Sequence, residues 1–206
     1  MATKTQSKQS NQTGESRTHK SAFDWGNGHT GVLVGAAVAG AAVGLAANAG
    51  RKLFMQFGSV TAGDWFEALK IEHEMVLAIF DKIEATDDSQ TMTRSHLLTK
   101  LKYALSKHAI EEEMIIYPAL RQAGHGEQSE HLNSDHAMVK SFIYELETMA
   151  NDSPQWLARV RDFRSTVEEH IREEEEKIFP PFHAQMSDEQ NSKLTTMMNK
   201  EGFKHA

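Results

Sequence analysis

Four stretches between residues 63 and 183 place apolar residues at alternating steps of three and four, a spacing that gathers one side of an α-helix into a stripe. The first stripe reads Phe66, Leu69, His73, Val76, Phe80, Ile83, and the second Leu98, Leu101, Leu105, His108, Glu112, Ile115. The third reads Leu132, His136, Val139, Ile143, Leu146, and the fourth Trp156, Val160, Phe163, Val167, His170, Glu174, Ile178. Stop and start signals divide them. Asp64-x-x-Glu67 is a capping-box-like start for a helix reaching Ala85. A second helix runs from about Thr91 to Tyr117, where Pro118 prevents simple continuation, and a third from Glu127 to Ala150 after Gly124 and Gly126. Ser153-Pro154 restarts the chain for a fourth helix that ends before Pro180, and Ser187-x-x-Gln190 opens a short terminal helix on the outside. The pattern predicts an all-α fold: a four-helix bundle over residues 59–186, followed by a short C-terminal helix and tail over 187–206.

Polar residues interrupt these stripes at matched places. His108-x-x-x-Glu112-Glu113 and His170-x-x-x-Glu174-Glu175 are each followed by a proline ten residues after the histidine, and Glu72-His73 and Asp135-His136 precede them by 35 and 34 residues. The unit is duplicated. A bundle would otherwise put Leu or Val at these seam positions, and an uncompensated buried carboxylate costs several kcal/mol. A pair of cations compensates directly. Four histidines and two glutamates on four helices, His73, His108, Glu112, His136, His170 and Glu174, are the ligand inventory of a dinuclear metal centre. They exceed what one tetrahedral zinc needs. Only the glutamate four after each histidine shares its face closely, although Glu113 and Glu175 remain alternative ligands.

Composition narrows the chemistry. There is no cysteine, which excludes disulfides, iron–sulfur clusters, thiolate zinc sites and thiol catalysis. Nitrogen and carboxylate ligands suit iron, manganese or zinc. With 206 residues and a net charge of −7, the chain has room for one substantial core and argues against nucleic acid as its main partner. The remaining histidines, His19, His29, His96, His125, His131, His183 and His205, are expected on the surface.

The first third differs in character. Residues 1–29 are polar and read as a disordered tail. Residues 30–50 carry no charge, and within 30–58 they predict a Gly/Ala-rich helical extension that spans or associates with a membrane. A cleaved signal ending near Ala47-Asn48-Ala49 and a soluble linker are the alternatives.

At HAIEEEMIIYP and HIREEEEKIFP the chain resembles the hemerythrin-like, or HHE cation-binding, family over about residues 63–183. The resemblance implies an up-down-up-down bundle. It also implies a non-haem di-iron site held by His73, His108, Glu112, His136, His170 and Glu174, with room for a bridging oxo or hydroxo group; manganese or zinc is less favoured. Oxygen-carrying members resemble one another in a further histidine one turn before the third-helix histidine, where this chain has Leu132. That departure favours the broader HHE group over a reversible carrier. The functional expectation is a di-iron protein that binds, senses or detoxifies O2, peroxide or nitric oxide. Iron storage or sensing without catalysis is the alternative, and a di-metal hydrolase is a distant third. The domain is expected in the cytoplasm, tethered to a membrane if residues 30–50 insert.

Overall fold

A computed structural model describes Met1 and residues 63–205. The expected polar tail beyond Met1 and the Gly/Ala-rich segment 30–58 lie outside the described residues. No helix among the described residues is long and apolar enough to cross a membrane.

The described chain is helical throughout, in the order α1 (Trp65–Glu84), α2 (Thr91–Glu111), α3 (Tyr117–Gln122), α4 (Gly126–Thr148), α5 (Trp156–Glu173), α6 (Phe179–Gln185) and α7 (Asp188–His205). Helices α1, α2, α4 and α5 form the bundle: α1 packs on α2 and α5, and α4 packs on the same two. Short connections join α1 to α2 and α4 to α5, so sequential neighbours run antiparallel. The predicted seams face inward, as every seam residue except Phe66 is buried. Phe66 yields the start of the first seam to its neighbour Trp65, which is fully buried.

Local chemistry explains the boundaries. Asp64 caps α1 by accepting from the backbone N–H groups of Phe66 and Glu67 at 2.9 and 3.1 Å. Ser187 and Gln190 form a reciprocal capping box ahead of α7. Helix α3 ends in a Schellman turn: His125 N–H bonds Leu120 C=O and Gly124 N–H bonds Arg121 C=O, with Gly124 at φ 99°. A Cβ on Gly124 would meet nothing within 4 Å, so only backbone strain opposes one. Gly124→Ala is therefore expected to cost about 1–2 kcal/mol in a chemical denaturation experiment.

Two departures from the expected pattern matter. The second and fourth helices do not stop at their prolines. Single π turns, Glu112–Ile116 and Glu174–Ile178, connect α2 to α3 and α5 to α6, with Tyr117 N–H bonding Glu112 C=O and Phe179 N–H bonding Glu174 C=O. A π turn already breaks the four-residue hydrogen-bond ladder, so Pro118 and Pro180 fall where the missing N–H is tolerated and the chain continues helically to Gln122 and Gln185. The terminal helix is also neither short nor peripheral. It spans 18 residues, and Leu194 and Met198 are fully buried against α1, α2 and the first π turn.

A buried arginine that the apolar pattern did not announce closes the other end. Arg94 on α2 donates to Thr86 Oγ1, to the Asn151 carbonyl and to Asp88, and its guanidinium lies over the Trp156 ring. It joins the α1–α2 and α4–α5 connections above a core that includes Phe80, Leu101, Ile143, Val160 and Phe163.

Candidate metal centre

The six seam residues converge. His73 comes from α1, His108 from the end of α2, His136 from α4 and His170 from the end of α5, while Glu112 and Glu174 open the two π turns. All six are buried. The imidazoles point Nε2 inward: His73 and His108 meet at 3.0 Å, and His136 and His170 at 3.2 Å. Glu112 Oε2 lies 3.1 Å from His108 Nε2 and 3.3 Å from His136 Nε2. Glu174 Oε2 lies 3.4 Å from His73 Nε2 and 3.5 Å from His170 Nε2. Each glutamate thus reaches one histidine of each pair.

Two ligand groups follow. His73, His108, Glu112 and Glu174 form one, and Glu112, His136 and His170 form the other, with Glu112 common to both. Inside this ring Glu112 Oε1 and Glu174 Oε2 are buried without a hydrogen-bond donor. An unpaired carboxylate oxygen in a protein interior is costly, and a divalent or trivalent cation held here would supply the missing positive charge. The donor set of imidazole and carboxylate, sulfur-free, fits such an ion.

The outer nitrogen of each imidazole is equally ordered. His108 Nδ1 meets Glu72 at 3.2 Å and His170 Nδ1 meets Asp135 at 3.4 Å, each carboxylate coming from the acidic-His pair of the same repeat. His136 Nδ1 meets Glu113 at 3.0 Å and His73 Nδ1 meets Glu175 at 2.7 Å, each from the glutamate doublet of the other repeat. An Nδ1–H donated outward leaves Nε2 free as a lone-pair donor inward, the arrangement that orients metal-bound histidines. Glu113 and Glu175, left open as alternative ligands by the spacing, sit in this outer ring. Glu113→Gln and Glu175→Gln are each expected to weaken metal binding about 10–100-fold in competition against a chelator while leaving the helical circular dichroism unchanged.

Electrostatics bind the cluster together. Burial disfavours charged imidazoles, yet the carboxylates of Glu174 and Glu175 beside its ring raise the pKa of His73, and the charge of Glu112 holds His108 well above its ordinary value. His136 is brought up to about 9, burial again being outweighed by Glu112 and Glu113. Burial likewise opposes ionisation of Glu112, but His108 and His136 hold its carboxyl well below the usual range. A bound cation takes over the balancing role of these imidazolium protons, because ligation requires neutral imidazole.

Sequence reasoning missed Tyr117. Its hydroxyl donates to Glu174 Oε1 at 2.7 Å and lies 3.3 Å from Glu112 Oε2 and 3.2 Å from His136 Nε2. Burial and the two carboxylates push its pKa well up, so it stays a hydrogen-bond donor. At about 100° per residue, a position five beyond Glu112 would point some 140° away on a regular helix. The π turn returns it to the same side. The available signal was the asymmetry between repeats, where Phe179 occupies the matching position.

Most remaining described histidines behave as expected, with His96, His131 and His205 exposed. His183 is an exception. Half-buried against Trp65 and Phe66, it bonds Asp64 at 2.7 Å and ties α6 to the start of α1.

Comparison with known proteins agrees with this arrangement. A crystal structure of a hemerythrin HHE cation-binding domain-containing protein from Mycobacterium kansasii superposes with a TM-score of 0.62 at 22% identity, covering 69% of this chain and 86% of that one. An uncharacterized hemerythrin-like protein of Schizosaccharomyces pombe is 21% identical over 65% of this chain and 66% of its own length. A protein described as a DNA nickase in Nostoc is 24% identical over 63% of this chain, a match spanning only 36% of that relative. The hemerythrin HHE cation binding domain family matches residues 66–182, and the chain belongs to that family of metal-binding helical bundles.

Proposed function

We propose that the domain holds two iron ions and uses them to bind, sense or detoxify a small oxidant or diatomic molecule such as O2, peroxide or nitric oxide. The observation that carries this reading is the pair of ligand groups sharing Glu112, beside a cavity of about 40 Å³ that all four histidines line together with Leu105, Val139, Ile143 and Val167. The sulfur-free donor set suits iron, manganese or zinc, and the resemblance to the hemerythrin-like family is what favours iron among them. His73 and His108 would hold one ion together with Glu112 and Glu174, and His136 and His170 the other together with Glu112. Iron bound here would supply the redox and ligand-binding chemistry. The protein's own part is to orient the Nε2 lone pairs through the outer carboxylates and to hold Glu174 through the Tyr117 hydroxyl. The cavity is walled mainly by apolar side chains, opens past the exposed Ser106 and Lys140, and admits a molecule of a few atoms.

A small apolar cavity touching every ligand histidine favours ligand handling over plain storage, since a store has no need of one. The acidic balance of the chain points the same way, towards small molecules and away from nucleic acid. The test is anaerobic loading with ferrous iron, followed by separate exposure to O2, hydrogen peroxide and nitric oxide under absorption spectroscopy. Two irons per chain and a new visible band with at least one of these are expected. Fewer than two irons would defeat the dinuclear reading. Two irons with no response to any of the three would leave storage or iron sensing as the function.

A further inference from the structure

The two halves of the centre are built on a repeat, but their outer carboxylates are held differently. Behind His108, Glu72 accepts from the ammonium of Lys107 at 2.5 Å, and Lys107 also binds both oxygens of Glu111 at 2.8 Å. This is a closed ionic cluster: the side chains of Glu72, Lys107 and Glu111 are 5%, 4% and 0% exposed. In the second repeat the corresponding positions are Asp135, Glu169 and Glu173. Glu169 is 72% exposed and turns to Arg172. The partner beside Asp135 and Glu173 is instead the ring of His131, itself 54% exposed and 3.0 Å from Glu173. Asp135 and Glu173 are 12% and 25% exposed.

We propose that Lys107 is a positioning residue that locks the His73/His108 metal position, so that this position fills first and empties last while the His136/His170 position exchanges with solvent. This rests on the dinuclear reading above. To turn His108 away from a bound ion, the chain must disturb Glu72, and Glu72 cannot move without breaking a Lys–Glu contact that is buried away from solvent. Turning His170 disturbs only Asp135, whose partner His131 is already in water and whose pairing is correspondingly weak. The duplicated motif therefore carries one rigid and one yielding copy. The sign of the charge reverses at one matched position, Lys107 against Glu169, and Glu72 is matched by the shorter Asp135.

The experiment follows release of ferrous iron from the full chain, loaded anaerobically with two ions, into excess of a coloured ferrous chelator. Two phases of equal amplitude are expected, at least tenfold apart in rate. Lys107→Met combined with Glu111→Gln removes the ammonium together with the carboxyl group it holds, leaving Glu72 with His108. This variant is expected to speed the slow phase until the two merge, whereas Lys107→Arg, which keeps the cation, retains it. A single phase in the unaltered protein, or a slow phase that survives the double substitution, overturns the proposal. Should the double variant not fold, single-equivalent loading gives the same answer: His170→Ala should keep the tighter of the two affinities and His108→Ala should lose it. The reverse order overturns the proposal. A chain that binds fewer than two irons defeats the dinuclear reading instead, and two irons leaving together defeat only the inference about Lys107.

Discussion

Glu112→Ala is expected to empty both metal positions, reducing metal measured by elemental analysis from about two ions per chain to background. Glu112 is the residue common to both ligand groups, lying 3.1 Å from His108 Nε2 and 3.3 Å from His136 Nε2. Its loss removes a ligand from each position and the main counter-charge of His108. Without it His108 and His136 revert towards neutral, and less negative charge remains to hold a cation between the Nε2 atoms that meet at 3.0 and 3.2 Å. Outer-ring substitutions weaken binding in a graded way, about 10–100-fold, so the contrast with Glu113→Gln identifies a direct ligand. Glu112→Gln keeps the volume and removes only the charge, separating ligation from cavity formation. Retention of both ions by the alanine and glutamine variants alike would remove Glu112 from the centre.

Trp65→Ala should give the largest loss of stability among the positions considered, about 3–5 kcal/mol. The indole is fully buried, sits edge-on to Phe179 at 5.4 Å, and donates its Nε1–H to Asn191 Oδ1 at 2.9 Å. The Trp65 backbone N–H is satisfied by Thr195 Oγ1 on the same terminal helix. One side chain therefore joins the start of α1, the chain beyond the second π turn and α7. For a domain of this size the loss corresponds to a fall in melting temperature on the order of 10 °C. Asn191→Ala, which leaves the indole N–H without a partner, should cost less, about 1–3 kcal/mol. A thermal melt in which Trp65→Ala behaves like a surface substitution would mean that α7 is not part of the folded unit.

The helical bundle and the six converging residues were readable because both depend on spacing within single helices. Steps of three and four place His73 among Leu69, Val76 and Phe80, and Glu112 one turn beyond His108, whatever the helix packs against. The capping residues Asp64 and Ser187 act over three residues and were equally legible. The misplaced helix ends have a single cause. Proline normally stops a regular helix, and the rule does not anticipate a π turn that absorbs Pro118 and Pro180.

The same π turn hid Tyr117, since a residue five positions on from Glu112 joins it only when the turn is widened. Arg94 and Lys107 were unreadable for another reason. A basic residue in a helix normally faces water, and these two are buried because loops and glutamates distant in sequence meet them. The roles within the glutamate doublets divide in the same way. Helical phase put Glu112 and Glu174 in the seams, but only the packing of α1 beside α5 and α4 beside α2 gives Glu175 to His73 and Glu113 to His136. Periodicity along the chain thus set which residues face the bundle interior, because that is a property of one helix at a time. Which nitrogen of each imidazole turns inward, and how firmly each copy of the motif is held, followed only from the contacts between helices.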